Sequence, residues 1–239
     1  MSIIEIRKFK DIDLKGATII EGFPSVGLVS TIVATYLIDY LKLDQICAVD
    51  SEAFPPTSMI YAKKPKFPAR IYASSKKKIG VFLAEFTPAP SLHRPLAKKF
   101  LEWCKEQQCQ RIISPEGAPL KKLCLHNKDS AKKTLVYGIG STEQARKNLL
   151  DAGIEQLTLG MIYGVSGVLL NEGRWDNFDV ITLLTEACPD MPDSLAAAKV
   201  LEAIDALMPH IQIDTQPVSY THLRAHETVL DLVCRLLLE

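Results

Sequence analysis

Ala17-Thr18-Ile19-Ile20-Glu21-Gly22-Phe23-Pro24-Ser25-Val26-Gly27-Leu28-Val29-Ser30 decides the fold. A short apolar run meets a turn rich in Gly and Pro, and a long apolar segment follows. The pattern reads as a strand, a tight turn and a helix start. Gly22 and Gly27 permit backbone angles or close approaches closed to other residues, and Pro24 fixes one φ. Exposed N–H groups at a helix N-terminus attract anions, so phosphate is the first ligand to weigh. A phosphate loop wants Lys and Ser or Thr after its last glycine, whereas Leu28 and Val29 follow Gly27, and no Gly-x-Gly-x-x-Gly is present. The turn is therefore read as structural.

The helix expected from Gly27 to about Lys42 is apolar nearly all round, through Leu28, Ile32, Val33, Tyr36, Leu37 and Leu41, with Ala34 and Ile38 widening the stripe. That is more than one sheet face needs. Either the helix is central in the monomer or its outer side meets another subunit. Upstream, residues 3 to 9 alternate weakly and suggest an edge strand. Downstream, strands are expected at Gln45–Val49, Ile79–Phe86, Arg111–Ser114, Thr134–Tyr137, Leu157–Ile162 and Val180–Leu184, with Met59–Tyr61 and Arg70–Ala73 flanking a Lys-rich hairpin turn. Leu92 to Gln108 has the spacing of an amphipathic helix. Ser141 or Thr142 is placed to cap a helix through Leu149, and Asp193 or Ser194 to cap another that ends before Pro209. Gly138-Ile139-Gly140 and Gly164-Val165-Ser166-Gly167 read as turns. The sum is a three-layer α/β/α sandwich with a mostly parallel sheet.

With 239 residues, 47% apolar, and 28 basic residues against 28 acidic ones, the chain has the composition of one soluble domain. Zero net charge supplies no general attraction to nucleic acid. The longest apolar stretch, Val26 to Leu41, is too short and too polar to span a bilayer. Six cysteines without a Cys-x-x-Cys pair read as free, mostly buried thiols, which places the protein in the cytoplasm.

Candidate chemistry is sparse. Glu85, Glu116 and Glu186 each lie near a strand end, where α/β enzymes often place reactive groups. A catalytic reading has them converge as acid and base in one cleft, as in a small-molecule hydrolase or phosphorylase. Ser166 lacks the Gly-x-Ser-x-Gly of a nucleophile elbow. His222 and His226 are four apart but have no third metal ligand. No cofactor and no metal are expected.

As an ordered set, Gly22-Phe23-Pro24-Ser25-Val26-Gly27, Phe54-Pro55-Pro56, Gly164-Val165-Ser166-Gly167-Val168-Leu169-Leu170, and Pro192-Asp193 with Ala196-Ala197 resemble the PAC2, or proteasome assembly chaperone 2, family in its archaeal form. The resemblance covers about residues 15 to 208. It implies a nucleoside-phosphorylase-type α/β/α fold and a non-catalytic, homo-oligomeric protein, trimer or tetramer, that binds proteasome α subunits. Some archaeal relatives bind through a hydrophobic-Tyr-x ending; this chain ends Leu236-Leu237-Leu238-Glu239 and departs from that pattern. Gly22, Phe23, Pro24 and Gly27 are expected to set the first turn, Phe54, Pro55 and Pro56 an adjacent loop, and Gly164, Ser166 and Gly167 the opposing turn. The helix N-terminus after Gly27 and the Phe54-Pro55-Pro56 loop are expected together at a subunit or partner contact. Residues 1–217 are read as a single domain, and 218–239, containing Ser219-Tyr220-Thr221-His222-Leu223, resemble a translated vector or adapter and are read as a non-native extension.

Overall fold

The computed structural model describes residues 4–119 and 136–215, together with Val218. The chain runs β1 (Glu5–Lys8), β2 (Thr18–Gly22), a 3-10 turn over Val26–Leu28, α1 (Val29–Leu41) and β3 (Asp44–Asp50). A small hairpin, β4 (Met59–Tyr61) and β5 (Lys64–Lys66), precedes β6 (Ala69–Ser74), β7 (Ile79–Ala84), α2 (Pro90–Glu106) and β8 (Arg111–Pro119). Then come β9 (Val136–Gly140), α3 (Glu143–Asp151), the two-residue β10 (Glu155–Gln156), α4 (Gly164–Trp175), β11 (Asp179–Ala187) and α5 (Ser194–Leu207).

Among the described residues, nine strands form one sheet in the order β1-β3-β6-β7-β2-β8-β11-β9-β10. Its centre, β7-β2-β8-β11, is parallel, as the buried apolar runs demand. The flanks are less parallel than expected: β1, β3, β6 and β7 pair antiparallel in succession, and β9 pairs antiparallel with β11. Helices α1, α3 and α5 cover one face, and α2 and α4 cover the other, which completes the three layers.

The apolar excess of α1 is used inside the chain. Ile32, Val33, Ala34 and Leu37 are at most 1% exposed, and α5 packs alongside α1 on the same face of the sheet. Each fully buried Ile or Leu contributes about 1.5–3 kcal/mol. The hydroxyls of Tyr36 and Tyr40 donate to the carbonyls of Asp214 and Gln212, so the segment after α5 also closes over this helix.

Both expected caps form, Thr142 accepting from the Ala145 N–H and Asp193 from the Ala196 N–H, each at 2.9 Å. Three local expectations are overturned. Gly138-Ile139-Gly140 is strand, not turn, because α3 lies directly on it: a Cβ on Gly138 would come within 2.4 Å of Leu149. Leu157–Ile162 is not a strand; pairing stops at Gln156, and a helix begins at Gly164. Met59–Tyr61 pairs with Lys64–Lys66 rather than with the 70–73 strand, through a turn whose central residues, Ala62 and Lys63, both have positive φ of 49° and 65°. Among the described residues no helix is long and apolar enough to cross a membrane. Cys124, Cys234, His126, His222 and His226 lie outside the described residues, as does the expected non-native extension apart from Val218, which is buried against the α1–α5 core.

Candidate functional site

Strand alternation sends Ile20 towards α1 and its neighbours Ile19 and Glu21 towards α2 and α4. The same alternation in β8 sends Ile113 one way and Ile112, Ser114 and Glu116 the other. Two acidic residues on neighbouring strand ends thereby share one face. Glu21 is fully buried, and Glu116 is half-buried at the outer side.

Ser166, in the first turn of α4, completes the cluster. Ser114 Oγ lies 2.5 Å from Glu21 Oε2 and 2.8 Å from Ser166 Oγ. Ser166 Oγ in turn contacts Glu116 Oε1 and lies 3.4 Å from Glu21 Oε2. The other oxygen of Glu21 accepts the Phe23 N–H at 2.7 Å. Burial pushes the Glu21 carboxyl up to about 7, against the opposing pull of the Ser114 hydroxyl and the Phe23 N–H. Burial likewise raises Glu116, to about 8, and the neighbouring Glu21 adds to the rise.

The turn beside this cluster is filled by the protein's own oxygens. Ser25 Oγ accepts the N–H groups of Ser30 and Gly117, both at 3.3 Å, and the Ser30 hydroxyl donates to the Phe23 carbonyl at 2.6 Å. Gly27 has φ +64°, and a Cβ there would sit 2.9 Å from Ala187 Cβ and 3.0 Å from the Cys188 carbonyl. Its own carbonyl accepts the Asp193 N–H at 2.8 Å, which joins the turn to the start of α5. An anion would have to displace Glu21 and Ser25 to use these amides.

The convergence of Glu85, Glu116 and Glu186 is not found. Glu85 is engaged by Arg70, at 2.5 Å, and by the Tyr61 hydroxyl, while Glu186 is exposed on β11. Glu116 meets Glu21 instead, a partner that spacing alone did not single out. The signal for Glu21 was available: it is the one charged residue in a strand whose five residues are all buried. Among the described residues, two open grooves run along α2, one against β1 and β3 and the other against α4, and none of Glu21, Ser114, Glu116 and Ser166 lines either. Among the described residues no group of three or more His, Cys, Asp or Glu is placed to hold a metal.

Of the other expected residues, Phe23 packs on Phe82 with ring centroids 4.6 Å apart, and Phe54 on Phe86 at 4.8 Å. Both phenylalanines belong to the core on the α2–α4 side, whereas Pro55 and Pro56 are exposed. Gly164, Ser166 and Gly167 lie in the opening turn of α4, where Ser166 faces the end of β2. Sequence reasoning missed Leu159, Met161 and Tyr163, which are 90%, 70% and 74% exposed just before α4. The run Leu157–Ile162 was expected as a core strand, yet its apolar residues Leu159 and Met161 face solvent.

A family model described as PAC2 family matches residues 19–230. A crystal structure of Pyrococcus furiosus PbaA, an archaeal homolog of proteasome-assembly chaperone, is similar with a TM-score of 0.82 and 30% identity, covering 98% of this chain and 96% of that one. Pyrococcus furiosus PbaB, an archaeal proteasome activator, matches with a TM-score of 0.76 and 21% identity over 96% of this chain and 98% of that one; at that identity the likeness concerns the fold. An uncharacterized protein of Methanocaldococcus jannaschii is 24% identical over 196 residues, 82% of this chain and 77% of the relative.

Proposed function

The chain belongs to the PAC2 family, and from that premise we propose that it is a non-catalytic, homo-oligomeric protein-binding module of the proteasome-assembly-chaperone type. Its proposed partners are further copies of itself and proteasome α subunits, in the cytoplasm. The observation that carries the reading is the likeness to PbaA across 98% of the chain, at an identity that exceeds fold similarity alone. The closed state of the carboxyl cluster supports it. Glu21 and Glu116 are satisfied by Ser114, Ser166 and Phe23 rather than presented to a substrate.

Contact is assigned in this reading to the half-buried turn at Pro24–Val26 and to the neighbouring loop that exposes Pro55 and Pro56. Prolines hold a surface rigid, so little conformational entropy is lost on docking. The test is co-purification and native mass spectrometry of the chain with proteasome α subunits from its own source. The chain used should carry a C-terminus verified from genomic DNA, because residues 218–239 are proposed to be a non-native extension. Association with the α subunits is expected; a monomer that ignores them overturns the reading.

A further inference from the structure

Four oxygens stand in line where β2, β8 and α4 meet. Glu21 Oε2 is 2.5 Å from Ser114 Oγ, Ser114 Oγ is 2.8 Å from Ser166 Oγ, and Ser166 Oγ touches Glu116 Oε1. Each contact sets two oxygens at hydrogen-bond distance and needs one proton between them. A serine owns a single hydroxyl proton, and an ionised carboxylate owns none. Two serine protons do not fill three contacts, so the third proton belongs to Glu21 or Glu116. The Phe23 N–H does not supply it, being committed to the other oxygen of Glu21.

We infer that Glu21, Ser114, Ser166 and Glu116 form a proton-sharing chain that fastens the first turn of α4 to the sheet and loosens it when the shared proton leaves. Glu116, half-buried at the outer end, is the member through which the proton exchanges with water.

The surroundings offer no substitute for that proton. Helix α2 turns apolar side chains to the sheet, and its His93 ring sits 3.1 Å from the Pro88 carbonyl. On α4 the next charged group, Glu172, is paired with Arg94 and Lys98. Strands β6 and β7 lead to the Arg70–Glu85 pair, which neutralises itself and is flanked by Tyr61 and Tyr72. Strand β11 contributes exposed Glu186 and buried Thr182, which is paired in register with Ser114 and whose hydroxyl meets no hydrogen-bond partner among the described residues. Beyond the turn, Asp193 is occupied by the N–H groups of Cys188 and Ala196. Arg111, at the far end of β8, is bonded to Thr18 and the Leu207 carbonyl. Among the described residues, therefore, no cation faces the two carboxyls.

Loss of the proton leaves two carboxylates and one empty contact. The link to give way is Ser166, because α4 begins with Gly164 and Gly167, weak helix formers. Ahead of it lies the segment that exposes Leu159, Met161 and Tyr163, so the freedom of this apolar surface becomes linked to pH.

The experiment compares the full-length wild type with Glu116→Gln. The glutamine amide donates permanently to Ser166, which fills the third contact without a titrating group. The ratio of the wild-type unfolding equilibrium constant to that of the variant should rise up to about tenfold per pH unit between about pH 5 and about pH 8, because the variant keeps Glu21 but lacks the Glu116 carboxyl. Amide exchange at residues 165–169, corrected for the intrinsic pH effect, should accelerate in the wild type alone. Parallel pH profiles for the two proteins, or a flat wild type, overturn the inference. Should the variant fail to fold, infrared difference spectra of the wild type decide between about pH 5 and about pH 9: loss of a protonated-carboxyl band above the ordinary carboxyl range supports the chain, and absence of such a band overturns it.

Discussion

Replacing Glu85 by Ala removes the counter-charge of Arg70, whose side chain is 2% exposed against 14% for Glu85. The guanidinium also donates to the Phe67 carbonyl and the Tyr72 hydroxyl, and it lies 5.2 Å from the centre of the Tyr61 ring. These contacts engage two of its five N–H groups and leave its charge uncompensated. An uncompensated buried charge costs about 3–5 kcal/mol, and the residual exposure of Glu85 admits water, so about 3 kcal/mol is expected. Glu85→Gln keeps an acceptor for Tyr61 and Arg70 without the charge and should cost about 1.5 kcal/mol. Replacing both partners, Arg70→Met with Glu85→Leu, should recover most of the loss, since two desolvated ions are exchanged for apolar packing. Urea unfolding followed by tyrosine and tryptophan signals measures all three. A cost below about 1 kcal/mol for the alanine variant, matched by the glutamine variant, refutes the buried-pair reasoning.

Gly27→Ala places a Cβ against Ala187 and the Cys188 carbonyl at a φ of +64° and should cost about 1–3 kcal/mol, read as a lowered thermal midpoint. The pH dependence of stability has a worked sign: Glu21 is raised from 4.5 to about 7, so its contribution is full below about 4.5 and is lost as pH rises through about 7. At about 1.4 kcal/mol per pH unit the loss comes to about 3 kcal/mol, measurable by denaturant titration across that window. Arginine at both Pro55 and Pro56, which are exposed, should leave unfolding within about 0.5 kcal/mol of wild type yet weaken capture of α subunits in a binding titration.

Much of the architecture is local and therefore visible in the residues. The spacing of Leu92, Leu96, Phe100 and Trp103 specifies α2, and Thr142 and Asp193 announce the helices they cap. Helix α4 escaped notice because Gly164, Gly167 and Gly173 each cost about 1 kcal/mol of helix propensity, an amount offset only by burial of Val165 and Leu169 under α2 and β11. The β4–β5 hairpin was hidden because Ala62 and Lys63 occupy turn positions that usually advertise themselves as Asn-Gly. The carboxyl cluster joins residues 93, 52 and 145 positions apart. No spacing rule reaches that far, and only the misplaced charge of Glu21 among buried strand residues hinted at it.

The place of β11 also governs the order in which the molecule assembles. It lies between β8 and β9 although it is made after both, so the β9–α3–β10 unit has no seat in the sheet until residues 179–187 leave the ribosome. Until then β8 presents an unpaired edge carrying Ile112 and Ile113, and α1 waits longer still for α5 to cover it. A nascent chain halted near residue 150 is thus an obligate client of whatever shields apolar surface during synthesis, and it should be cut rapidly in limited proteolysis, while a chain extended beyond α5 resists.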